Sequence, residues 1–300
     1  MRIKANEEWL PVYQALASKV RLQIINILAY GPKNIKELAD DLDLSSAVMT
    51  MHIRKLEKAG IISSERVKSN GGIQKLRSLA IDYLEIDFPK GLDKEREYHE
   101  TIIPVGHYTD FNILPTCGLA TREKVIGYFD DPRYFLDVER VNAKILWFMK
   151  GYIEYRIPNY LMSNQELDEL EISMELGSEA PGYNNNWPSK LNFYINGKYI
   201  GQWTSHGDFG DKRGRFTPTW WSSDINQYGL LKVLKVNHKG SWMDGVKISN
   251  VTLEELNIGQ KNIDFKIEVS EKDGNAGGLT IYGAGFGNYD QDIIVKLYYR

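Results

Sequence analysis

Cysteine is nearly missing from this chain: Cys117 is the only one in 300 residues. That excludes an intrachain disulfide and any thiolate cluster for zinc or iron–sulfur chemistry. No apolar run approaches the ~18 to 20 residues that span a bilayer. The opening stretch MRIKANEEWLPVYQ also lacks the apolar core of a signal peptide. The expectation is a cytoplasmic protein with no membrane partner, and the sequon-like NVT at 250–252 reads as a chance match. Low-complexity tracts are absent too, and 42% hydrophobic with 26% charged residues is the balance of an ordinary folded chain. Its length allows two separate cores. No motif calls for a cofactor or a resident metal.

The net charge of -3 conceals an uneven distribution. Residues 1–81 hold 13 basic and 8 acidic side chains, whereas residues 82–300 hold 24 and 32. The basic excess concentrates at Arg54, Lys55, Lys58, Arg66, Lys68, Lys75 and Arg77, opposed only by Glu57 and Glu65 in that stretch. Such a stripe suits a surface that displaces counterions from phosphates, although a merely solvated face would read the same way.

Val20, Ile24, Ile27 and Leu28 recur at helical spacing until Gly31-Pro32 ends the helix. NIKELADDL follows as a short helix capped by Asn34, with Ile35, Leu38 and Leu42 turned inward. Ser45 is the next N-cap candidate. In SSAVMTMHIRKLEKAG, Met49, Ile53 and Leu56 face a core while Thr50, Met51, Arg54, Lys55 and Lys58 fall on the other side. Two helices joined by a tight turn, the second with a basic outer face, make a helix-turn-helix. After Gly60, IISSERVKSNGGIQKLRSLAI reads as two strands around an Asn70-Gly71 turn, a wing flanked by Lys68 and Lys75.

Residues 15–62 resemble the ArsR-type winged helix-turn-helix of bacterial repressors. ALASKVRLQIINIL matches its opening helix, and IKELADDLDLSSAVMTMHIRKLEKAGII matches its helix-turn-helix in length and register. The resemblance implies a homodimer on double-stranded operator DNA. Metal-sensing members carry Cys-x-Cys where this chain has Asn34 and Lys36, so arsenic or zinc sensing through thiolates is not expected. Asp43 stands where the family often has Gly, and Asp tolerates the left-handed conformation such a turn needs. His52 is open to two readings, a packing residue or a phosphate contact. Thr50, Met51 and Arg54 are candidate groove contacts, Arg54 the one suited to a guanine edge. Lys55, Lys58, Lys68 and Lys75 are candidates for phosphate contacts, and Ser46 completes the set.

Residues 82–142 read as a packed connector with a short strand near YHETIIPVGHY; His99, Glu100, His107 and Asp110 fit no metal motif. Residues 143–300 contain eight β-forming runs and no long amphipathic helix. The organisation expected is therefore α+β and multidomain: a winged helix-turn-helix over 1–81, the connector, and an antiparallel β-sandwich over 143–300, with a jelly roll as the topology. FYINGKYIGQW resembles a hairpin of galactose-binding-like jelly rolls.

Between 183 and 221 aromatics, amides and charges mix in loop-like segments. Aromatic faces suit sugar C–H groups and polar side chains fix hydroxyls, so Asn185, Trp187, Trp203, His206, Asp208, Arg215, Trp220 and Trp221 are candidates for binding a carbohydrate-like effector. The bland alternative is that some of these tryptophans fill the core. DFG at 208–210 and GAGFG at 283–287 lack the surroundings of a kinase or phosphate loop. The reading is a cytoplasmic transcriptional repressor with a sugar-sensing sandwich, not an enzyme. Its alternatives are a carbohydrate-active enzyme fused to a DNA-binding domain, with His206 and Asp208 as an acid–base pair, and a sandwich that serves only dimerisation.

Overall fold

The structure, a computed structural model, describes residues 1–69, 72–81, 84–88, 96–258, 261–269 and 277–300. The chain divides into two compact units, Met1–Lys94 and Glu95–Arg300.

In the first unit β1 (Arg2–Lys4) is followed by α1 (Leu10–Leu16), α2 (Lys19–Leu28), α3 (Ile35–Asp41) and α4 (Ser46–Lys58), then β2 (Ile62–Ser69), β3 (Gly72–Leu79) and β4 (Glu85–Asp87). Local chemistry sets these boundaries. Asn34 Oδ1 accepts from the backbone N–H groups of Lys36 and Glu37, while the Glu37 carboxylate accepts from the Asn34 N–H, a full capping box. Asp43 takes φ +52 at the turn, and Ser45 Oγ accepts from Val48 N–H at the start of α4. Leu38, Met49, Ile53 and Leu56 are buried with Ile3, Val12, Ile24 and Leu28 in one core. β2 and β3 pair antiparallel from Ile62↔Leu79 to Ser69↔Gly72, the expected wing; its Asn70-Gly71 tip and the Lys68 side chain lie outside the described residues. Reciprocal backbone bonds between Lys33 and Arg77 fasten the wing to the α2–α3 turn. The parallel pairing of β1 with β4 was not anticipated.

The second unit is one antiparallel sheet of twelve strands among the described residues. They are β5 (Tyr98–Ile103), β6 (Asp110–Ala120), β7 (Ile145–Pro158), β8 (Leu167–Gly177), β9 (Ser189–Ile195), β10 (Lys198–Ser205), β11 (Leu230–Asn237), β12 (Gly240–Met243), β13 (Val246–Ser249), β14 (Asn262–Val269), β15 (Leu279–Tyr282) and β16 (Ile293–Tyr299). The main path runs β10-β9-β14-β7-β15-β8-β11-β12-β13. β6 adds to β7, and β5 joins through β16 to β8. The ends of the path meet, since Ser249 Oγ donates to the Ile200 carbonyl at 2.7 Å, so the sheet wraps into a near-barrel sandwich. Strict alternation of buried and half-buried residues along β14 shows one face turned to the core. Phe193 and Phe265 stack in that core, which also takes Phe148, Tyr155, Leu176 and Leu297. Asn196 and Gly197, at φ +48 and +75, make the tight turn joining β9 to β10.

The sequence reading of 82–142 as a connector needs correction. The short strand expected near YHETIIPVGHY is present at 98–103, paired with β16, but residues 110–120 form a second and longer strand paired with β7. The alternation of β6 is broken by a register shift between Leu114 and Cys117, at Pro115, which cannot donate to the ladder. Burial of Cys117 pushes its thiol up to about 12, removing it from thiolate chemistry.

Candidate nucleic-acid interface and ligand cavity

The outer face of α4 carries Ser46, Met51, Arg54, Lys55 and Lys58 exposed, with Thr50 half-buried and its Oγ1 donating back to the Ser46 carbonyl at 2.7 Å. Buried Met49, Ile53 and Leu56 hold the opposite face, so the helix presents a single polar side. Lys75 on β3 is half-exposed and lies 3.8 Å from the Glu57 carboxylate. That carboxylate also takes the Ser64 hydroxyl, which links helix and wing.

His52 turns sideways rather than outward. Its Nδ1 lies 3.4 Å from Arg21 Nη1, and the buried Arg21 guanidinium also donates to the carbonyls of Gln14 and Ala15 at the end of α1. Burial, then Arg21 and Lys55, lower the His52 pKa, so the ring stays neutral and accepts from Arg21. The geometry favours the packing reading for this residue.

The eight residues expected around an effector divide into separate places. Trp221 is buried against Trp147, Tyr282 and Phe286, and its Nε1 donates to the Asn226 carbonyl at 2.8 Å. It is core. Trp203 packs against the main core under Lys232, whose Nζ lies 4.5 Å from the ring centroid. Trp220 stays partly exposed, donating through Nε1 to the Arg122 carbonyl. Arg215 is exposed over the Phe216 ring. Asn185, Trp187, His206 and Asp208 do come together, through backbone bonds between Asn184 and Asp208 and between Trp187 and His206. Within that set His206 is exposed, whereas Asp208 is fully buried with Oδ2 accepting from the Ala180 N–H at 3.1 Å. Burial pushes Asp208 up to about 7. With one side chain in solvent and the other turned to Ala180, the two are not arranged as an acid–base pair.

Register brings the ends of β6 and β15 together, since Ala120 and Tyr282 both pair with Ile145, while β8 runs antiparallel to β15 and ends at Gly177 beside Thr280. Fully buried Glu175 on β8 ties the loops after β10 and β15: its carboxylate accepts from the backbone N–H groups of Gly229, Asn288 and Tyr289 at 2.8 to 2.9 Å. Among the segments that follow β6, β8 and β10 opens a cavity of about 150 Å³ lined by Thr116, Phe129, Asp130, Trp147, Glu179 and Asn226, together with 180–182 and Ile225. Phe129 and Trp147 rings lie 5.5 Å apart, and Trp147 lies flat on Gly118, where any Cβ would strike the indole. Thr116 Oγ1 donates to Glu179 at 2.8 Å and Asn226 Nδ2 at 3.3 Å, while Asp130 Oδ1 accepts from the Cys117 N–H. Asn226 Oδ1 is buried with no partner. Burial, with Asp208 and Asp130 adding like charge, pushes the Glu179 carboxyl well above the usual range.

Sequence reasoning missed this cavity. Its walls come from the supposed connector and from strand ends, and the one local signal was the aromatic–acid string YFDD at 128–131. The residues weighed for metal binding have separate partners: His99 meets Gln165, Glu100 meets Lys296, His107 meets the Val141 carbonyl, and Asp110 accepts from Tyr152. Among the described residues no group of three or more His, Cys, Asp or Glu side chains is placed to hold a metal ion.

Residues 18–64 match the family described as bacterial regulatory protein, arsR family. An uncharacterized HTH-type transcriptional regulator of Methanocaldococcus jannaschii is 46% identical over 54 residues, 18% of this chain and 57% of the relative. The chain thus spans little more than half the length of that relative. Among solved structures, HlyU from Vibrio cholerae is similar at 23% identity over 24% of this chain and 75% of its own, with a TM-score of 0.22. The CBM36-1 domain of a multidomain xylanase from the hindgut metagenome of Trinervitermes trinervoides is similar at 11% identity over 66% of this chain and 96% of its own, with a TM-score of 0.30.

Proposed function

We propose that this chain is a DNA-binding transcriptional regulator, acting as a cytoplasmic homodimer and repressor, whose sandwich binds a small carbohydrate-like effector. The ArsR-type helix-turn-helix at 18–64 is its premise. The observation that carries the reading is the outer face of α4, where Met51, Arg54, Lys55 and Lys58 stand exposed on one side of a helix whose other side is core. In a helix-turn-helix that side enters the major groove. Arg54, with Thr50 and Met51, reads base edges; Ser46, Lys55, Lys58, Lys68 and Lys75 set the register on phosphates.

Effector sensing is supported by the cavity, where two aromatic faces stand beside buried polar side chains. The aromatic faces cover sugar C–H groups, and the polar side chains accept hydroxyl hydrogens. An effector changes DNA binding only if its affinity differs between dimer geometries that fit the operator and those that do not. The test is selection of genomic fragments by the purified protein, followed by elution with a library of sugars. Recovery of specific fragments released or tightened by a sugar supports the reading. Failure to retain any specific fragment would overturn the regulator role, and retention indifferent to every sugar would overturn the sensor.

A further inference from the structure

The cavity beside Trp147 is chemically one-sided. Among the described residues lining it there are two carboxylates and no Lys, Arg or His. Two of its side-chain donors are already in use, Thr116 Oγ1 and Asn226 Nδ2 both onto Glu179. What it offers a guest is acceptors: Asn226 Oδ1, on a residue only 4% exposed and with no partner, and the carboxylates of Asp130 and Glu179. An unpaired buried acceptor costs stability unless something supplies a hydrogen. The aromatic faces of Phe129 and Trp147 attract positive charge as well as C–H groups.

We propose that this cavity takes a polyhydroxylated primary amine, the amino-sugar class, with its ammonium held by Asp130, Glu179 and Asn226 Oδ1 and its C–H face on Phe129 and Trp147. This rests on the sugar-sensing reading above and narrows it to a cationic ligand. A neutral sugar would leave the paired acids without a counter-charge, whereas an ammonium neutralises them and donates three hydrogens at once. Burial, with Asp208 and Asp130 adding like charge, raises the Glu179 carboxyl well above its usual range, so an arriving ammonium favours its ionisation and the release of a proton. The cavity of about 150 Å³ limits the guest to a single sugar ring.

The experiment compares glucosamine, N-acetylglucosamine and glucose on the full chain near neutral pH, read by tryptophan fluorescence and by calorimetry in two buffers of different ionisation enthalpy. Glucosamine should bind about tenfold tighter than either neutral sugar, the usual advantage of a charge-assisted over a neutral hydrogen bond. Its apparent enthalpy should differ between buffers because a proton is released. Asp130→Asn keeps the acceptor for the Cys117 N–H and should abolish the preference; Phe129→Leu, at a half-exposed ring, should weaken glucosamine binding and serves if the first variant is poorly folded. Equal binding of glucose and glucosamine would overturn the amine inference while leaving sugar sensing intact. No binding of any sugar would overturn both, and a preference untouched by either variant would place the amine elsewhere.

Discussion

Replacing Glu175 by leucine should cost the sandwich a large part of its stability, because one buried carboxylate serves three backbone donors from two loops. Oε1 accepts from Gly229 and Asn288 N–H groups, both at 2.8 Å, and Oε2 accepts from Tyr289 at 2.9 Å. Gly287 sits so close that a Cβ there would lie 2.4 Å from Oε1. Leucine offers none of the three N–H groups an acceptor. At about 1 to 3 kcal/mol for each buried donor left unmade, the loss is roughly 3 to 9 kcal/mol, against a total stability on the order of 5 to 15 kcal/mol for a typical folded protein. Glu175→Gln keeps one acceptor oxygen and should cost less, and it also removes a titration. Burial pushes Glu175 up to about 7 from 4.5, despite the opposing pull of the N–H groups. An acid whose folded pKa is raised contributes stability that is complete below its unfolded value and lost as pH climbs through the folded one. From about pH 4.5 to 7 that loss approaches about 3 kcal/mol, and Asp208, also pushed up to about 7, acts in the same direction. Urea unfolding followed by tryptophan fluorescence at pH 5 and pH 8 measures both effects. The wild type should be more stable at pH 5, and Glu175→Gln should show a shallower pH dependence. A leucine variant within about 1 kcal/mol of wild type, or a glutamine variant with an unchanged pH slope, would refute the assignment.

Arg54→Ala should weaken binding to a recovered operator by about 1 to 3 kcal/mol more than binding to random duplex, measured by competition. Lys58→Gln should weaken both alike and lower the salt-dependence slope by about 1. Trp221→Ala should destabilise by about 3 to 5 kcal/mol in denaturant unfolding, since that ring is buried in a cluster. Trp220→Ala, at a ring 40% exposed, should cost less than about 1 kcal/mol.

The first unit was legible because its signals are local. Asn34, Asp43, Ser45 and the Met49-Ile53-Leu56 spacing each act within a turn or two, and each appears in its place. The long β runs were legible for the same reason, as period-two alternation in β9, β11 and β14. β5 was legible as the short strand near YHETIIPVGHY, but β6 escaped because Leu114 is exposed and Pro115 breaks the register, so the strand shows no clean apolar face. The cavity escaped for a different reason. Phe129, Trp147, Glu179 and Asn226 are far apart along the chain, and only Trp147 lies on a strand, the other three reaching it from loops. Density of tryptophan between 183 and 221 pointed to Trp203 and Trp221, and packing took both for the core.

The regulator role proposed above depends on the outer face of α4 reading a DNA sequence. Fluorescence anisotropy of the full chain on a genomic fragment it selects, against a scrambled duplex of equal length at physiological salt, tests it most directly. Sequence-specific reading predicts at least about 10³-fold tighter binding to the selected fragment, a gap that narrows in Arg54→Ala. Equal affinity for both duplexes would contradict it.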